Sequence, residues 1–282
     1  MPTTSKRLGG RRGPLLVIGG AEDPRDDDLR ILPHLVKMAG GPDARLLVCA
    51  APTTHAAETL RDYRGVFEGI GVAEVIALPL DDREEANSEG AVAAVDRATG
   101  VFFTGGDQLR LTGVVAGTAF GVRLAERFKG GLFVAGTSAG AAAMAGTMIT
   151  GGHGSIVCRE CVDMAPGLGL WAETVVDTHF NRSGRVHRLM ACIAQNPGVL
   201  GIGIDEDTAV VVPARGPMRV IGRGNVFVFD GRIEYSDVAD VAEDAAITLT
   251  HSVLHVLGAG YAFDLAAMEP VIPEPALNDR PD

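Results

Sequence analysis

Short apolar runs closed by glycine-rich turns alternate, through the first half of this chain, with stretches whose apolar residues recur at helical intervals. Leu15-Leu16-Val17-Ile18 reads as a buried strand ending in the turn Gly19-Gly20-Ala21-Glu22-Asp23-Pro24. Residues 29–39 follow with a helical period, Pro33 falling in the first turn. A strand at 45–50, a helix face marked by Leu60, Tyr63, Phe67 and Ile70, a strand at 75–78 and a helix across 91–98 continue the alternation. Val101-Phe102-Phe103 then runs into the glycine turn Thr104-Gly105-Gly106-Asp107-Gln108, and helical segments fill 109–128. Such alternation predicts a parallel sheet covered on both faces, with ligands gathered at the carboxyl ends of its strands.

The next apolar run, 132–135, leads into Gly136-Thr137-Ser138-Ala139-Gly140 and then an alanine-rich helical stretch at 141–144. This is the G-x-S-x-G pattern of a nucleophile held at a sharp strand-to-helix turn, where small neighbours tolerate strained dihedrals. Residues 150–169 are glycine-rich and are expected to form an irregular loop over the site. Strand character returns at 173–177, a helix at 183–195 carries Val186, Leu189, Met190 and Ile193 on one face, and a strand at 199–204 ends at Asp205-Glu206-Asp207. Short strands at 210–212, 219–221 and 226–229 then predict a β-rich edge. Residues 1–13 and 270–282 are expected to be loose, and no internal repeat or linker divides 1–282. The expected fold is a single α/β domain, a doubly wound, mostly parallel sheet with helices on both faces and a β-rich C-terminal edge.

Composition narrows the function. Hydrophobic residues at 46% and charged residues at 22% describe a soluble protein with a sizeable core. A net charge of −11 argues against general nucleic-acid binding and allows a cationic partner. The polar, basic first residues lack a following apolar segment and no run reaches membrane-spanning length, so the expectation is a cytoplasmic protein. The first glycine turn lacks the G-x-G-x-x-G spacing of a dinucleotide site. Cys158-Arg-Glu-Cys161 has no second ligand pair, and the four cysteines make no disulfide framework, so unremarkable thiols, no metal and no cofactor are expected.

A serine nucleophile needs a base within reach and a carboxylate to orient it. Of seven histidines, His179 directly follows the 173–177 strand, which should bring it to the same side of the sheet as Ser138. Glu206 and its flanking Asp205 and Asp207 occupy the equivalent position after the 199–204 strand. His34, His55, His187, His251 and His255 fall in or beside expected helices, and glycine-flanked His153 is the competing base. Backbone N–H groups of Ala139 and Gly106 are the expected oxyanion hole, one following the nucleophile and one in a neighbouring strand-end turn.

Five motifs in order, Val17-Ile18-Gly19-Gly20-Ala21-Glu22-Asp23, Phe102-Phe103-Thr104-Gly105-Gly106-Asp107-Gln108, Gly136-Thr137-Ser138-Ala139-Gly140-Ala141, Asp177-Thr178-His179-Phe180 and Gly201-Ile202-Gly203-Ile204-Asp205-Glu206-Asp207-Thr208-Ala209, resemble the cyanophycinases. These are peptidase E-like serine peptidases whose fold is similar to class I glutamine amidotransferases. The resemblance spans about 15–230 and implies a Ser138, His179, Glu206 triad and a homodimer. It also implies cleavage of cyanophycin, an aspartate polymer bearing arginine on each β-carboxyl, to β-Asp-Arg dipeptides. Gln108 and Asp177 match substrate-contacting positions. Arg185 and Arg188 match two of three clustered arginines and would fork onto substrate carboxylates, with Asp177 meeting a guanidinium. The first arginine position is Ser183, with Arg182 one residue early, and Thr178 replaces a glutamine. A dipeptidase acting on aspartyl or isoaspartyl peptides, and a non-hydrolytic amidotransferase-like binding protein, are the other readings.

Overall fold

The computed structural model describes residues 12–22, 30–152, 156–182 and 184–273. Its first half contains β1 (Leu15–Ile18), α1 (Leu32–Ala39), β2 (Arg45–Cys49), α2 (Ala56–Ile70), β3 (Glu74–Leu78), α3 (Arg83–Ala86), α4 (Glu89–Arg97), β4 (Gly100–Phe103), α5 (Gln108–Val115), α6 (Ala119–Lys129), β5 (Phe133–Thr137) and α7 (Ala139–Ala143). The second half contains β6 (Ala145–Gly151), β7 (Asp163–Pro166), β8 (Trp171–Thr178), α8 (Arg185–Gln195), β9 (Leu200–Ile204), β10 (Thr208–Val212), β11 (Met218–Gly222), β12 (Val226–Asp230), β13 (Tyr235–Ser236), β14 (Leu249–Thr250), β15 (Val253–Leu257), β16 (Ala262–Asp264) and β17 (Glu269–Val271).

β1 sits in the middle of a nine-stranded sheet ordered β17-β16-β11-β10-β1-β5-β4-β2-β3. It runs parallel to β5, matching Leu15 with Val134 and Ile18 with Thr137, and antiparallel to β10, matching Ile18 with Ala209. All four of its residues are fully buried, which is why its sequence is an unbroken apolar run rather than an alternating one. Beyond β5 the sheet is parallel, built from β4, β2 and β3 with their helices, and beyond β1 it is an antiparallel meander. α4, α5 and α6 start where short polar side chains cap them: Ser88 accepts from Ala91 N–H, Asp107 from Leu109 N–H and Thr118 from Gly121 N–H.

Of the strands after the elbow, six build a second sheet ordered β15-β12-β9-β8-β6-β7, while β13 and β14 pair only with each other, so β8 and β9 do not join the sheet that carries Ser138. The largest core cluster joins both sheets, bringing Val210, Val212 and Val220 of the first together with Val176, Ile202 and Val228 of the second. α1 and α2 cover the opposite face of the first sheet, and α8 covers the far face of the second, over Val175 and Phe229. The mixed α/β architecture therefore matches the expected class, while the division into two sheets does not appear in the hydrophobic pattern.

Several local expectations change. The 150–169 stretch is not wholly irregular, since β7 pairs with β6 across Ile149 and Met164. Cys158 and Cys161 are not free thiols but a disulfide beside a short 3-10 turn. His255 lies in β15 and His251 in the turn before it, rather than in helices. The helix foreseen from 29 begins at Leu32, with Leu29 outside the described residues, as are Asp23, Pro24, His153 and Ser183. The termini foreseen as loose lie mostly outside them too, although β17 pairs residues 269–271 with β16.

Candidate active site

The chain leaves β5 and enters α7 through Ser138, which adopts φ 51° and ψ −114°. A serine is held in that region only when its surroundings over-determine it. Here a Cβ on Gly136 would stand 2.6 Å from Gly140 carbonyl carbon, and one on Gly140 would stand 2.4 Å from Phe103 oxygen. Only glycine at both positions lets α7 fold back this tightly on β5 and β4. Ser138 N–H donates to Ile18 oxygen at 3.1 Å, which ties the elbow to β1.

His179 follows β8 and Glu206 follows β9, so both enter from the second sheet and face the elbow across the seam. Ser138 Oγ lies 2.8 Å from His179 Nε2, and His179 Nδ1 lies 2.7 Å from Glu206 Oε1. An ionised Glu206 requires the proton on Nδ1, leaving Nε2 to accept from the Ser138 hydroxyl. The hydrogen bond from His179, aided by Arg182, holds the Glu206 carboxyl below its usual range against a smaller desolvation effect. Arg182 donates through Nε to Glu206 Oε1 at 2.8 Å, a partner the sequence did not indicate.

The acidic run around Glu206 divides by direction. Asp205 turns inward and accepts from Asn225 N–H at 2.9 Å, while Asp207 pairs with Arg223 at 2.8 Å. Only the middle carboxylate reaches the imidazole. The loops carrying these residues hang from one backbone stretch: Ile18 oxygen holds Ser138 N–H, Gly19 oxygen holds His179 N–H at 2.8 Å, and Gly20 oxygen holds Asp207 N–H at 2.9 Å. Gly20, at φ 96°, leaves the space the imidazole occupies, since a Cβ there would lie 2.5 Å from His179 Cε1. The sequence marks Gly20 as part of the turn that ends a buried strand, and carries no sign of the ring that fills the space beside it.

A cavity of about 330 Å³ opens beside Ser138 and His179, edged by Gly106, Gln108, Ala139, Thr178, Arg182, Arg185 and Arg188. That volume suits a small ligand, and its lining is mostly polar. Ala139 is the first residue of α7, where N–H groups have no partner within the helix. Gln108 donates from Nε2 to Ile149 oxygen at 2.7 Å, which fixes its amide against β6.

Asp177 also lines this cavity. Its side chain is 1% exposed and accepts from Arg185 Nη1 at 3.1 Å and from Arg188 Nε at 2.7 Å. These bonds make Asp177 an anchor beneath both arginines at the edge of the cavity. The geometry follows from β8, where Asp177 and Val175 turn toward α8, and from the i, i+3 spacing that puts both arginines on one helix face. Burial outweighs the attraction of Arg188 and pushes the Asp177 carboxyl up to about 6. Cys192, buried beneath it, is pushed up to about 12 and stays a thiol. Among the described residues, no group of three or more His, Cys, Asp or Glu side chains is arranged to hold a metal.

Comparison with known proteins settles the family at this point. Residues 15–216 match the model for Peptidase family S51. The chain belongs to peptidase family S51. This makes it a serine-type peptidase, and the matched segment contains the elbow, the imidazole and the carboxylate just described. Among similar proteins, the cyanophycinase of Synechococcus elongatus is 37% identical over 265 residues, covering 93% of this chain and 82% of that protein. The cyanophycinase of Nostoc sp. is 39% identical over 254 residues, covering 89% and 85%. Among solved structures, a peptidase from an acI-B1 actinobacterium superposes with a TM-score of 0.64 at 20% identity, over 91% of this chain and 98% of that one. A putative peptidase E protein from Listeria monocytogenes gives 0.51 at 13% identity, over 74% and 98%. At such identities the two structures speak for the fold alone.

Proposed function

We propose that this peptidase hydrolyses cyanophycin, releasing β-Asp-Arg dipeptides through an acyl-enzyme on Ser138. The observation that carries the reading is the Ser138, His179, Glu206 relay, at 2.8 and 2.7 Å, on the rim of an arginine-edged cavity. Ser138 attacks the scissile carbonyl while His179 takes its proton and returns it to the leaving amine, with Glu206 holding the tautomer. Ala139 and Gly106 N–H groups receive the developing oxyanion. Arg185 and Arg188, fixed from below by Asp177, offer their remaining N–H donors to substrate carboxylate, and Gln108 orients the backbone. The curated relatives named cyanophycinase, at 37% and 39% identity over most of the chain, support the substrate.

The test is incubation with purified cyanophycin and, separately, with Asp-X and isoaspartyl dipeptides, followed by mass spectrometry of the products. β-Asp-Arg from the polymer is the expected result. Turnover of the dipeptides alone would favour the dipeptidase reading, and no turnover together with no fluorophosphonate labelling would favour a binding protein. A homodimer and a cytoplasmic location belong to the same proposal. Sedimentation equilibrium and cell fractionation test them.

A further inference from the structure

A carboxyl outside the relay is buried behind the elbow. Glu22 is 7% exposed, and both its oxygens are engaged: Thr137 Oγ1 donates to Oε2 at 2.6 Å and Tyr63 OH donates to Oε1 at 3.2 Å. Thr137 is itself buried and immediately precedes Ser138. Tyr63 is held in turn by aromatic packing, its ring centroid 4.9 Å from Phe102 of β4 in an edge-on contact and 5.9 Å from Phe67. On its other side Glu22 continues the stretch Ile18 to Gly20, whose carbonyl oxygens hold the N–H groups of Ser138, His179 and Asp207.

We propose that Glu22 is a positioning residue for the peptidase reaction, closing a ring from Thr137 through Ile18–Gly20 to His179 that fixes the imidazole against the Ser138 hydroxyl. The inference rests on the triad reading above. Its physical basis is that nucleophile and base come from different sheets, so no single strand or helix sets their separation. A buried acceptor with two rigid donors does so instead, and a misplacement of about 1 Å at such a pair costs about a hundredfold in rate. A role confined to stability would lower the population of folded enzyme without altering each active site.

Turnover is therefore measured per active site, with sites titrated by a fluorophosphonate, and the second-order rate of fluorophosphonate labelling is measured in parallel. Glu22→Gln and Thr137→Val are expected to lower kcat and the labelling rate together by about ten- to a hundredfold, with KM within about twofold of wild type. Thr137→Ser keeps the hydroxyl and should restore wild-type rates. The double variant should lose no more than the worse single, because both break one contact. Per-site rates within about twofold of wild type in Glu22→Gln and Thr137→Val, whatever their melting temperatures, overturn the inference. Should Glu22→Gln fail to fold, Thr137→Val and Tyr63→Phe carry the same comparison, with unchanged per-site rates again overturning it. Ser138→Ala is the separate control: activity surviving there sinks the triad, whereas an inactive Ser138→Ala with unaltered Glu22→Gln rates sinks only the role of Glu22.

Discussion

Ser138 occupies a backbone conformation that most L-residues avoid, and its hydroxyl hydrogen-bonds to His179. Its contribution is therefore to chemistry more than to packing. Ser138→Ala and His179→Ala should each reduce kcat by at least about 10⁴-fold, and the pair together by little more, because members of a relay act as a unit. Steady-state kinetics with cyanophycin check this, with circular dichroism showing an unchanged fold. Glu206→Gln should cost about 10²- to 10⁴-fold, since an amide can favour the wrong imidazole tautomer. Asp205→Asn and Asp207→Asn serve as controls, both carboxylates being turned to Asn225 and Arg223. A crippled Asp205→Asn beside a mild Glu206→Gln would move the assignment. Arg182, 64% exposed, should matter far less, Arg182→Gln costing under about tenfold, as exposed ion pairs do.

At the scale of elements, a turn and a helix do work that their own residues do not advertise. The Gly19-Gly20 turn is a template for the catalytic loops, and Gly20→Ala would drive a methyl into the space of the His179 ring. We expect a kcat loss of about a hundredfold with the S51 fold retained, read as slowed fluorophosphonate labelling of a protein with native near-ultraviolet dichroism. In α8, Arg188 is 13% exposed and neutralises a carboxylate that is itself buried. Arg188→Gln leaves Asp177 with one fewer partner and should destabilise the protein by about 3–5 kcal/mol in urea unfolding at pH 8. An effect below about 1 kcal/mol would mean that water or Arg185 takes over the charge.

At the scale of the molecule, the packing of α8 on the second sheet buries charge in a place the core would otherwise keep apolar. Asp177 has its folded pKa raised to about 6, above the ordinary value of about 3.9 for the unfolded chain. Between those values the folded state holds the extra proton, so its contribution to stability is complete below about 4 and is lost as pH rises through about 6. Glu206, with its folded pKa lowered, has the opposite sign: its contribution is present above the ordinary carboxylate range and is lost as pH falls through the lowered value. Asp177→Asn should therefore remove a downward slope in stability between about pH 4 and 6, seen by comparing urea midpoints of the two proteins across that range. Parallel midpoint profiles would contradict the raised pKa.

The alternating first half was legible because β1, β2, β4 and β5 are buried on both faces, and burial of that kind writes an unbroken apolar run into each strand. The elbow was legible for a related reason: steric contact at Gly136, against Gly140, and at Gly140, against Phe103 of β4, excludes every side chain, and both restrictions fall within five consecutive residues. His179 and the run Asp205-Glu206-Asp207 could be singled out because each follows a strand, a one-dimensional signal that reports which loop faces the seam, and the family resemblance alone chose Glu206 within the run. Which sheet those strands join was not written there, since an apolar run carries no record of its hydrogen-bonded neighbour. For the same reason Asp177 carried no sign in the sequence of its two arginine partners on α8, and Glu22 read as a turn residue until Thr137 and Tyr63 closed around it. The local pattern determined the elements, the elbow and the order of the chemical groups. Tertiary structure alone decided their partners, because hydrogen bonds and ion pairs between residues far apart in sequence depend on three-dimensional distance, and periodicity encodes only burial.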